Sequence, residues 1–244
     1  MPGPRDEQQG LRRFEAGAAV GLIGGIVGLV LPVSVNLLAF YRFIGLPTAG
    51  ATLIDFTSAF VIAGALLFAL SLLIYRFGFS ALRKEDPWFY VASILCLVGS
   101  VGLLLIAIAA GIALESSSSL VQCIQGTPSH ALTCLQQVQP LTGYSVVLGF
   151  WLAWFGGLGI VVGLGMGSRR YRVVRLGLGS VLYAILLLVL IDPFVALLFP
   201  VGGWQYPLLT LPVLALVAPL LVYLGCHRVL RESAQPVPNG PAAT

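Results

Sequence analysis

Charge is what this sequence has least of. Only 9% of its 244 residues are Asp, Glu, Lys or Arg, against 58% hydrophobic, and the mean hydropathy is +0.99. A soluble globule carries about 25% charged residues, so a water-covered domain is excluded and the bilayer is the expected solvent. Lysine is nearly missing: Lys84 stands alone beside twelve arginines, and no Gly-x-x-x-x-Gly-Lys-Ser/Thr loop exists to cradle a nucleotide phosphate. Histidine is limited to His130 and His227, one in a loop and one at the end of the last apolar run, so no pair faces across a bundle to ligate a b-type haem. No Cys-x-x-Cys occurs among the four cysteines, which removes the usual mark of a membrane thiol oxidoreductase. No serine sits in a nucleophile elbow or beside a histidine within an apolar run, so intramembrane proteolysis lacks its parts. The expectation is a protein with no catalytic residue, no metal and no cofactor, and therefore not an enzyme.

What is present is long apolar runs. Six are long enough to cross a bilayer, which takes roughly 20 residues: about 16–40, 53–75, 89–114, 144–167, 173–199 and 206–226. The expected fold is an all-α integral membrane protein, a bundle of six transmembrane helices. Residues 1–15 form a polar lead-in, 115–143 the longest loop and 227–244 a Pro-rich tail too polar to fold alone. The first run is too long for a signal-peptide core and has no convincing cleavage site, so it reads as a retained helix.

Orientation follows from arginine. Arg169, Arg170, Arg172 and Arg175 crowd one short connection, and cationic connections stay on the cytoplasmic side. Both termini then fall in the cytoplasm of a cell-membrane protein, and Arg42 is the only cation on the other face. The loop Glu115 to Gly143 has no lysine or arginine and is expected outside. The net charge of +4 is accounted for by lipid headgroups and topology, so nucleic acid is not expected as a partner.

Three constellations carry candidate roles. Cys123 and Cys134 lie in the external loop with ten residues between them, across a Gly126 to Pro128 turn. A disulfide is expected there, worth roughly 2–3 kcal/mol through the denatured state. A metal site with His130 is the alternative, and it lacks a fourth ligand. Gly17, Gly21 and Gly25 in the first span, and Gly159, Gly163 and Gly167 in the fourth, recur at every fourth residue. Such stripes let helix backbones approach in lipid, and the two are expected to pack on each other. Asn36, Arg42, Asp55 and Asp192 fall in the outer third as a candidate polar site. Asp192 precedes Pro193 and reads either as the cap of a short helix beginning there or as an ion or proton site. Asp55 reads as the cap of the second span.

Two stretches also carry a resemblance. Arg76 to Ile108 holds an arginine-flanked aromatic turn ending Phe79-x-x-Leu82, an entry at Asp86 to Phe89, and a span punctuated by Gly99 and Gly102. Gly163 to Ile191 holds Gly-x-Gly-x-Gly-Ser-Arg-Arg-Tyr, then Arg175-Leu-Gly177. Together they resemble an uncharacterised family of archaeal multi-pass membrane proteins. The resemblance implies a six-helix plan and an archaeal origin, and offers no site residues to carry over.

The functional expectation is a non-catalytic accessory or structural subunit of a larger membrane complex, with lipid and other membrane subunits as partners. The alternative is a small transporter or channel for an unidentified solute.

Overall fold

The computed structural model describes residues 4–31, 49–83, 86–115, 119, 139–198 and 205–234. These form six helices: α1 (Pro4–Gly25), α2 (Ala49–Leu82), α3 (Pro87–Glu115), α4 (Pro140–Tyr171), α5 (Val174–Leu198) and α6 (Gln205–Ala234). All six contain a stretch long and apolar enough to cross a membrane, and no strand occurs among the described residues. Cys123, Cys134, Asn36 and Arg42 lie outside the described residues.

Each helix packs on its neighbours in sequence, and α1 packs on α6, so the bundle closes as a ring. The first turns of α1, α3 and α5 gather at the same end as the last turns of α2, α4 and α6. Gly10 lies against Leu82, Arg175 against Gly225, and Glu15 against His227. Every described lysine or arginine is within a few turns of this end, so it is strongly basic.

Helix ends follow local chemistry. α3 starts at Pro87, whose missing N–H is no loss in a first turn, and Asp86 caps it: the Trp88 N–H donates to Asp86 Oδ1 at 2.9 Å and the Phe89 N–H to the Asp86 carbonyl at 3.1 Å. Trp88 and Tyr90 are exposed there, where an aromatic belt sits. α4 starts at Pro140 and ends with Arg172 in the left-handed region (φ 53°), its N–H bonded back to the Ser168 carbonyl. Such a residue stops a helix cleanly, and α5 begins two residues later.

α6 continues to Ala234, through the first eight residues of the 227–244 tail expected not to fold, and two further helices overrun their expected spans for a shared reason. α1 begins at Pro4 and α2 runs to Leu82, through segments whose charges make them read as loop. The reason is that their apolar residues are core: Leu11, Phe14, Phe79 and Leu82 are all buried. Phe79 and Leu82 follow Tyr75 at helical spacing of four and three, one stripe facing inward. The charged residues between them point elsewhere: Arg13 Nη1 donates to the Phe77 carbonyl at 2.9 Å, and the Arg76 guanidinium lies 5.5 Å from the Phe77 ring centre.

The core is densest toward the basic end. Phe14, Tyr75, Phe79 and Phe89 form an aromatic column joining α1, α2 and α3, with ring centres 4.9 Å apart for Phe14 and Phe79 and 6.2 Å for Phe79 and Phe89. Leu164 of α4, Leu176 of α5 and Val222 of α6 complete it.

Candidate functional site

Glycine decides how the seams between helices are built. α3 and α4 run antiparallel with their backbones in direct apposition: a methyl group at Gly99 would overlap the Gly156 backbone, and one at Gly102 would stand 2.5 Å from both the Gly149 carbonyl and the Ala153 nitrogen. Gly28, just beyond α1, meets Gly64 of α2 in the same manner. Without side chains, van der Waals contact between helices is closest, and in lipid that is their main attraction. Gly28 sits within a π-helical stretch, Ile26–Val30, that continues α1.

The stripes anticipated from sequence find other partners. Gly159 packs on α3, where a methyl group would stand 2.8 Å from Leu95 Cβ and 2.9 Å from the Ala92 carbonyl. Gly163 receives the Phe79 ring of α2. Gly17 receives the Tyr75 ring, Gly21 faces Ser71 Oγ, and Gly25 faces the Ala215 carbonyl of α6. The two stripes therefore do not pack on each other as expected, because α1 and α4 are not neighbours in the ring: α2 and α3 stand between them. Gly167 seats nothing: a methyl group there meets no atom within 4 Å.

The two acids are also placed differently. Asp55 is the seventh residue of α2, which begins at Ala49, so it does not cap that helix. Asp192 lies within α5, which runs unbroken through Pro193 to Leu198, so no new helix starts there for it to cap.

The structure brings together a group that sequence reading overlooked, in the middle of the ring just inside the aromatic column. Tyr75 is 0% exposed and Tyr183 of α5 faces it, with Cys226 of α6 and Cys96 of α3 in the same neighbourhood. Ser71, one turn from Tyr75, donates its hydroxyl proton to the Gly17 carbonyl at 2.7 Å. The thiols of Cys96 and Cys226 are free and buried. Toward the basic end, His227 Nδ1 meets Glu15 Oε1 at 2.7 Å and its ring stacks on Tyr223, which fastens α6 to α1. The sequence signal for the group is the stripe Ser71-x-x-x-Tyr75-x-x-x-Phe79, polar and aromatic residues one turn apart on a face with no charge.

Other buried polar side chains act across seams. Ser93 of α3 donates to the Arg76 carbonyl at 3.3 Å, Ser180 of α5 to the Val161 carbonyl at 2.8 Å, and Trp154 Nε1 of α4 to the Leu187 carbonyl at 3.1 Å. No set of three His, Cys, Asp or Glu side chains able to hold a metal ion occurs among the described residues. No protein-family profile, curated protein or solved structure matches the chain.

Proposed function

We propose that this chain is a non-catalytic accessory or structural subunit of a larger complex in the cell membrane. The observation that carries this reading is how most polar side chains inside the bundle are used, Ser100 and Thr142 being the two that bond locally, to the Leu97 carbonyl and to Gln139. Ser71, Ser93, Ser180 and Trp154 each donate to a backbone carbonyl of a neighbouring helix. These bonds fasten helices together and leave those groups uncommitted to any solute. The aromatic column of Phe14, Tyr75, Phe79 and Phe89 fills the ring at its basic end, which suits a scaffold better than a conduit. Partners are other membrane subunits, met through the glycine-lined helices and the 115–143 loop, with lipid around the rest.

Purification from native membranes in mild detergent tests this. Co-migration with a stoichiometric complex is the expected result, and migration alone with solute-dependent thermal stabilisation would replace the subunit by a small transporter or channel. That second reading draws on one observation, the hydroxyls of Tyr75 and Tyr183 in the middle of the ring.

The arginine-rich end is assigned to the cytoplasm, with both termini, on the charge asymmetry of the chain. Cysteines introduced at Ser168 and Ser117 should react with an impermeant reagent only from inside and only from outside, respectively. Cys123 and Cys134 are assigned a disulfide that pre-orders the external loop for docking. Non-reducing mass spectrometry should recover them in one crosslinked peptide, and two free thiols in freshly alkylated protein would remove the assignment. The likeness to the archaeal family supports the six-helix plan only.

A further inference from the structure

We propose that the bundle core binds one small neutral hydrogen-bonding ligand, a single ordered water molecule, between the hydroxyls of Tyr75 and Tyr183 beside Ser71 and Gly21. Tyr75 is 0% exposed, and its hydroxyl has no hydrogen-bond partner among the described residues. An orphaned hydroxyl in a protein core shifts a folding equilibrium by roughly tenfold or more against the native state, so a site that keeps one normally supplies a partner.

The surroundings are built for that partner. Tyr183 approaches from α5 and is itself 7% exposed; its hydroxyl comes close enough to interact with that of Tyr75, though not in the geometry of a direct hydrogen bond. A β-carbon at Gly21 would stand 3.0 Å from Ser71 Oγ and 3.7 Å from the Tyr183 hydroxyl, so the glycine keeps space open next to two oxygens. Three hydroxyls from two helices thus surround a position on a third helix that carries no side chain. Ser71 has already given its proton to the Gly17 carbonyl and retains lone pairs to accept. A bound water would accept from one tyrosine and donate to Ser71 and the other, within the two to four partners a buried water needs. An ion is disfavoured because the remaining ionisable neighbours of Tyr75 are the thiols of Cys96 and Cys226, and the Glu15 carboxylate beyond Cys226 is already held by His227. The inference holds for a subunit and for a transporter alike.

The test combines a high-resolution map of the full chain with thermal unfolding of Y75F, G21A and the double variant. The map should show one oxygen within hydrogen-bond reach of both phenols. Y75F should lower Tm by roughly 2–4 °C, since it strips a partner from the bound water. G21A fills the space, so Y75F should then cause no further loss in its background. A rise or no change in Tm for Y75F would mark the hydroxyl as a true orphan and overturn the proposal. A map in which the two phenols bond directly to each other, or a Y75F loss undiminished in G21A, would overturn it as well. Should G21A fail to fold, the map and Y75F alone still decide between these outcomes.

Discussion

The two halves of the bundle hold their helices together by opposite means. Toward the basic end, glycines act as seats for large rings: Tyr75 lies on Gly17 and Phe79 on Gly163. Further along, glycine meets glycine, at Gly99 with Gly156 and Gly28 with Gly64. In the first half a side chain fills the gap and has torsions with which to adjust. In the second there is only backbone, whose position is fixed by the hydrogen bonds of two helices. One residue type therefore carries two tolerances to substitution, and its spacing in the sequence does not distinguish them.

Substitutions graded by these contacts sharpen the contrast. Gly156→Leu puts a side chain where the α3 backbone stands and should separate α3 from α4. A loss of about 3 kcal/mol or more is expected, or failure to assemble, read by thermal unfolding in detergent. Gly163→Ala intrudes on the Phe79 ring and should cost roughly 1–3 kcal/mol. Trimming the ring with Phe79→Leu in the same chain should recover part of that loss, a non-additivity that no backbone clash would show. Gly17→Ala meets the Tyr75 ring at 3.2 Å, a distance that a small ring movement relieves, so a loss of about 1 kcal/mol or less is expected. Gly167→Ala meets nothing within 4 Å and should be neutral or stabilising by up to about 1 kcal/mol, since alanine favours a helix. Equal losses for Gly156→Ala and Gly17→Ala would abolish the distinction between backbone crossings and ring seats.

The number and order of helices were legible because apolar length is decided residue by residue. Their ends were less so. Arg76, Arg83 and Lys84 made 76–86 look like a loop, yet Phe79 and Leu82 carry α2 inward to Leu82, because one buried stripe outweighs scattered charges that reach the interface. The glycine stripes were visible and their partners were not, since spacing shows which face of a helix is smooth and says nothing of which helix lies against it. Tyr75 and Tyr183 escaped notice for a related reason. They are 108 positions apart in the chain, and only ring closure places α5 opposite α2. Asp55 and Asp192 attracted attention as isolated acids beside presumed helix starts, and both starts lie elsewhere.

Closure of the ring through Glu15 and His227 has a consequence for biosynthesis. α1 leaves the ribosome before α2 to α6, so the wall of α1 that carries Glu15 and Gly25 waits through the synthesis of four intervening helices before its neighbour α6 exists. Until then a carboxylate and a bare strip of backbone border lipid or the insertion machinery. The nascent chain is thus an incomplete cylinder with one polar-edged gap, and α6 acts as the stave that seals it.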